Sequence, residues 1–158
     1  MEGALSCHVT RDGTDANEVL TGTIRGSRFY PQVRVVMTDG LTFAGFNVLD
    51  LKALARATSL PVVAVTREMP DMTSIEQALR HLPQGELRLR TLLAAGEPDG
   101  VVSRAGERPV YVQCAGIEPQ DAAEIVRLSA TRSRIPEPLR AAHIFASAAV
   151  LGESRGKV

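Results

Sequence analysis

Two short apolar runs constrain this chain more than anything else in it. Val33 to Met37 is apolar apart from Arg34, and Pro61 to Thr66 repeats the pattern. Runs this short and this rich in β-branched residues read as strands covered on both faces. Between them Val48, Leu51, Leu54, Ala55 and Thr58 recur at helical spacing, which predicts an amphipathic helix. A strand, a helix and a second buried strand in that order imply a layered α/β domain with a largely parallel sheet.

The rest of the chain continues the alternation. Leu5, Cys7 and Val9 alternate with polar residues and predict a first strand with one buried face. Asp15 and Glu18 have capping-box spacing, and Ala16, Val19, Leu20, Thr23 and Ile24 then follow the helical template up to Gly26. Thr73 and Glu76 suggest a second such box, opening a helix to about Leu82. Gln84 to Glu107 is ambiguous, because "ELRLRTLLAAG" suits a strand or a helix. "VVSRAGERPVYVQCAG" reads as a hairpin around Ala105 to Pro109. Pro119 fits the first turn of a helix, and a last helix is expected over about Pro138 to Leu151. The domain is therefore drawn as residues 1–151, with a polar tail over 152–158.

Composition excludes more than it identifies. Hydrophobic residues make up 44% and charged residues 23%, with no net formal charge. A folded core is expected, and any nucleic-acid contact must come from a local basic patch. Cys7 and Cys114 lack metal-ligand spacing, and both read as small core residues in a reduced, cytoplasmic setting. No apolar run has membrane-spanning length. No phosphate loop, nucleophile elbow or zinc-protease motif is present.

Among candidate site residues Asp39 stands first. In a parallel sheet, sites form at the carboxyl ends of strands, and Asp39 ends the first buried run. It reads either as a turn-forming Asp-Gly or as a metal-binding or catalytic carboxylate. Glu18 is either the back-reaching partner of a capping box or a second carboxylate converging on Asp39, which is what a hard divalent cation requires. Asp50 and Asp71 read as helix caps, and His143 as a packed core histidine. Arg132, Arg134, Arg140, Arg155 and Lys157 form a basic C-terminal cluster, either a solvated surface or a phosphate-contacting patch.

The segments "VTRDGTDANEVL", "QVRVVMTDGLTFAGFNVLDL", "LPVVAVTREMPDM" and "RIPEPLRAAHIFASAAVLGESRG" resemble the archaeal endonuclease dU family over nearly the whole chain. DGLTFAGFN is the most specific part of the likeness. That family is in turn similar to endonuclease V, which implies an RNase H-like mixed sheet flanked by helices. "VQCAGIEPQDAAEIV" and "IPEPLRAAH" look like the endonuclease V C-terminal pattern. Asp39 and Gly40 fall on its strand-end Asp-Gly, and Glu18 lies twenty-one positions earlier, as its second acidic residue does. Arg67 falls where endonuclease V carries a lysine.

The resemblance implies a Mg²⁺- or Mn²⁺-dependent endonuclease acting on DNA that contains deaminated bases, deoxyuridine in particular. Asp39 and Glu18 would hold the metal. Arg67 and Arg140 would contact phosphates. Gly40, Leu41, Thr42, Phe43, Gly45, Phe46 and Asn47 would receive an unstacked base.

Three departures stand out. The chain has no histidine near the end of "YVQCAG". Gly45, Phe46 and Asn47 replace a His-Pro-Arg. The first-strand aspartate of both families has no counterpart here, so the domain is expected to lack its first two strands and one metal ligand. An inactive module that binds nucleic acid or a partner is the alternative expectation, and an oligomer interface built by DGLTFAGFN is a third.

Overall fold

The computed structural model describes residues 3–154. Helix α1 (Ala16–Arg25) and a single 3₁₀ turn (Tyr30–Gln32) precede strand β1 (Val36–Asp39). A small hairpin, β2 (Thr42–Phe43) and β3 (Asn47–Val48), leads into helix α2 (Leu51–Thr58) and strand β4 (Val62–Thr66). Helices α3 (Met72–Leu79) and α4 (Gly85–Ala94) follow. The chain finishes with β5 (Asp99–Val101), β6 (Val110–Ala115), α5 (Pro119–Ser129) and α6 (Glu137–Leu151).

The main sheet has the order β1-β4-β6-β5. β4 carries the two-sided core. Val62 and Ala64 face one cluster with Leu51, Leu54, Leu79 and Leu92. Val63 and Val65 face a second cluster with Val112, Val126 and Leu139. Successive side chains of a strand point to opposite faces, so one continuous apolar run serves both layers. Burial of Val62, Val63 and Val65, each at most 1% exposed, contributes roughly 1.5–3 kcal/mol apiece.

The sheet is mixed, as the resemblance to endonuclease V implied, and not largely parallel as the alternation alone suggested: only β1 and β4 pair in parallel, with Asp39 opposite Val65, while β6 runs antiparallel to both β4 and β5. The hairpin between β5 and β6 causes this, since it sends β6 back against β4. β1 is an edge strand, and among the described residues no strand pairs its other side. Residues 3–10 form no strand, Leu5 is 57% exposed and Cys7 is exposed. Their alternation has no neighbouring strand to pair with. His143 is exposed rather than packed, because α6 buries only Leu139 and leaves Val150 81% exposed.

The helix starts follow local chemistry in two cases. The Asp50 carboxylate accepts from Ala53 N at 2.8 Å, and that of Asp71 accepts from Ser74 N at 3.1 Å, capping α2 and α3 as expected. Asp71 therefore opens α3, and the box suggested at Thr73 and Glu76 is not formed. "ELRLRTLLAAG" resolves as helix.

Candidate active site

Asp39 ends β1 at the edge of the sheet. The chain turns sharply there: Gly40 has φ +74°, and an added Cβ would meet Thr66 Cγ2 at 3.1 Å. A left-handed conformation this close to a neighbouring strand favours glycine. Gly40 N donates to Val65 O at 3.0 Å, and the buried Thr38 hydroxyl donates to Gly40 O at 2.8 Å. The turn is thus held by the backbone and by Thr38. The Asp39 carboxylate takes no part in it, being exposed and without a hydrogen bond or ion pair among the described residues.

Beside Asp39 lies a cavity of about 540 Å³. Gly40, Leu41 and Thr42 form one wall. Ile75 of α3 and Leu92 of α4 form another, and Thr66, Glu97 and Gln113 reach it from the sheet and the loop before β5. A largely apolar cavity with a few polar groups at its mouth suits a flat organic ring.

The remaining residues of DGLTFAGFN belong to a different construction. Phe43 and Phe46 pack against the core. Asn47 is fully buried. Its Oδ1 accepts from Ala16 N at 3.1 Å, while its Nδ2 donates to Thr10 O at 2.9 Å and to Asp15 Oδ1. Asn47 thereby caps α1 from across the fold, in place of the capping box suggested at Asp15 and Glu18. Gly45 has φ +87°, and a Cβ there would meet Asp12 Oδ1 at 2.3 Å. That same Oδ1 accepts from Phe46 N at 2.8 Å.

Arg88 closes this knot. It is 5% exposed and has no carboxylate partner. Nε donates to Pro83 O at 3.0 Å, Nη2 to Asp12 O at 2.7 Å, and Nη1 to Gly13 O at 2.7 Å and to Phe46 O. Sequence reading missed it. The available signal was helical spacing, since Arg88 shares a stripe with Leu92 and Ala95. Asp15, held by the Thr10 hydroxyl and then by the Asn47 amide, has its carboxyl below the ordinary aspartate range.

Glu18 lies in the first turn of α1, exposed and without a hydrogen bond or ion pair among the described residues. It does not line the Asp39 cavity. The start of α1 is nevertheless tied to the start of α2, through Asn17 Nδ2 to Asp50 O and Asp50 N to Asn17 Oδ1, both at 2.8 Å. Among the described residues no group of three or more His, Cys, Asp or Glu side chains is placed to hold a metal ion. Arg67, just past β4, is half-buried, with Nε enclosed and lacking a hydrogen-bond partner.

Two of the C-terminal cations are engaged within the fold. Arg134 donates to Arg67 O and Pro109 O and pairs with Glu68 at 2.8 Å, and Arg140 pairs with Glu137 at 3.1 Å. Arg155 and Lys157 lie outside the described residues. Glu97, also missed, sits in a loop that the sequence marks only as "GEPDG".

A mixed sheet with a core on each of its faces has counterparts among solved structures. Human ENDOV matches with a TM-score of 0.52 at 18% identity, over 84% of this chain and 60% of that one. Endonuclease V of Ciona intestinalis, solved with a 24-mer DNA containing an inosine, matches with 0.54 at 18% identity, over 94% and 70%. By fold, then, this is an RNase H-like domain of the endonuclease V kind.

A crystal structure of an Archaeoglobus fulgidus protein matches more strongly, with a TM-score of 0.81 at 37% identity, over 90% of this chain and 79% of that one. The endonuclease dU family model matches residues 1–150, and the chain belongs to that family. A UPF0215 protein of Methanothermobacter thermautotrophicus is 53% identical over 157 residues, covering 99% of this chain and 76% of its own. Its Methanosarcina acetivorans counterpart is 48% identical over 157 residues, covering 99% and 80%. Among the described residues no helix is long and apolar enough to cross a membrane.

Proposed function

We propose that this chain is a metal-dependent endodeoxyribonuclease that hydrolyses a phosphodiester near a deaminated base, deoxyuridine in particular. The observation that carries the reading is the unengaged Asp39 carboxylate at the mouth of an apolar cavity. Family membership supports the nuclease class.

The donor type fits a hard cation: Asp39, with Glu18 as the second carboxylate, would hold Mg²⁺ or Mn²⁺ through oxygens that have no other partner among the described residues. A cation held there supplies an activated water and offsets charge on the phosphoryl oxygens. The protein's own part is positional. Thr38 and Gly40 fix the turn that presents Asp39. Leu41, Ile75 and Leu92 exclude water beside it and receive the unstacked base. Arg67 contributes positive charge for the backbone phosphates.

A second reading, binding without cleavage, is favoured by the lack of a third ligand among the described residues. One assay separates the two. Oligonucleotides carrying deoxyuridine or deoxyinosine are incubated with the protein and Mg²⁺, alongside the Asp39→Ala variant. Incision that disappears in the variant supports the nuclease. Salt-dependent binding with no incision, or incision unchanged by the substitution, sinks it.

A further inference from the structure

We propose that Glu97 is the residue that separates a deaminated base from its amino parent, an inference that rests on the cavity beside Asp39 being the base pocket. Two features of the cavity carry it. The first is the state of its polar groups. Gln113 Nε2 donates to Gly96 O at 2.6 Å, which fixes the amide plane, and the Thr66 hydroxyl donates to Tyr111 O at 3.4 Å. With those donors engaged, the cavity presents Gln113 Oε1, Thr66 Oγ1 and the Glu97 carboxylate as acceptors, and one remaining N–H of Gln113 as a donor. Glu97 has no hydrogen bond or ion pair among the described residues. It is acceptor-only when ionised.

The second feature is what such a set recognises. Deamination converts an amino group beside a ring-nitrogen acceptor into a carbonyl beside a ring N–H. Uracil and hypoxanthine therefore offer a donor where cytosine and adenine offer a lone pair. A carboxylate facing that ring position accepts from the lactam N–H, and the free N–H of Gln113 can donate to the neighbouring carbonyl. The amino parents present donor and acceptor in the reverse order, so the exposed carboxylate meets a ring-nitrogen lone pair, which repels it and offers it no hydrogen bond. Thymine and guanine carry the same lactam edge, so Glu97 does not separate them from uracil and hypoxanthine.

The test measures binding in the absence of divalent cation, so that cleavage does not intrude. Single strands of adenine carrying one central deoxyuridine, deoxycytidine or thymidine are titrated by fluorescence anisotropy with the wild-type chain, Glu97→Gln and Glu97→Ala. The wild type is expected to prefer deoxyuridine over deoxycytidine by roughly tenfold, the scale of one well-made base contact. Both variants are expected to bring that ratio toward unity while leaving the deoxyuridine-to-thymidine ratio in place. A general loosening of the pocket would move both ratios together. The proposal is overturned if the wild type shows no such preference, if the variants keep it, or if both ratios fall together. Selective binding that vanishes in Glu97→Gln, in a chain that does not incise with Mg²⁺, leaves Glu97 as the reader and removes the nuclease. Incision with a selectivity untouched by the variants does the reverse.

Discussion

Two polar regions flank the hairpin of β2 and β3, and they are built on opposite terms. At its tip, Asn47, Asp15 and Thr10 bond one another, and Arg88 donates to the carbonyls of Asp12, Gly13 and Phe46 beside them, which ties three separate stretches of chain together. At its base, Asp39 and Glu97 line a cavity and have no partner among the described residues. Buried polar groups that are fully paired fix a structure. Exposed carboxylates left unpaired contribute little to it and are free to act on something else. The contrast divides DGLTFAGFN functionally: Leu41 and Thr42 belong to the cavity, while Phe46 and Asn47 belong to the knot that holds it.

The sharpest way to test this division is to change one side chain on each side of it. Asp39→Asn should lower incision of a deoxyuridine strand by about 100-fold or more, since charge stabilisation at a metal-bound phosphoryl group is worth several kcal/mol. Its urea midpoint should stay where the wild type's is. A shifted midpoint would mean that Asp39 is a turn residue after all.

Arg88→Met should do the opposite. The carbonyls of Asp12, Gly13, Phe46 and Pro83 lose their donor, and leaving such groups unsatisfied costs about 3 kcal/mol or more in total. Urea unfolding reads this directly. Specific activity per folded molecule should change far less than for Asp39→Asn, and a large loss of activity at full folding would erase the distinction between the two regions. Asn47→Ala should fall below it in stability cost, at roughly 1–2 kcal/mol, the usual range for a lost N-cap.

These two residues also show where sequence reading stops. The strands that supply the core were legible, because β4 meets its whole apolar requirement in consecutive positions. So were the caps of α2 and α3, where Asp50 and Asp71 bond only three residues ahead. The place of Asp39 was legible too, because a strand end is a local feature. The cap of α1 was not, since Asn47 acts on Ala16 from thirty-one positions away, and local spacing pointed to Glu18 instead. Leu5 to Val9 has a strand's alternation, but a strand needs a neighbour, and alternation carries no information about one. His143 fits a helical stripe whose outer half no layer covers. Glu97 is an ordinary loop glutamate until the fold sets it on the cavity that Asp39 shares.

The smallest expected effect concerns pH, and it probes the knot by its charge. Asp15 has its carboxyl lowered below 3.8 by the Thr10 hydroxyl and the Asn47 amide. A folded pKa depressed relative to the unfolded one adds stability above the unfolded value, and that contribution is lost as pH falls through the folded value. The acid limb of a stability-against-pH curve should therefore steepen below about pH 4. Thr10→Val removes the leading cause of the shift and should flatten that part of the limb while leaving stability near neutral pH only slightly reduced. Exposure keeps the effect modest, because solvent screens the group. An acid limb that Thr10→Val leaves unchanged would mean that the Asp15 carboxylate is not held by the knot, and the contrast between the two regions would lose its charged member.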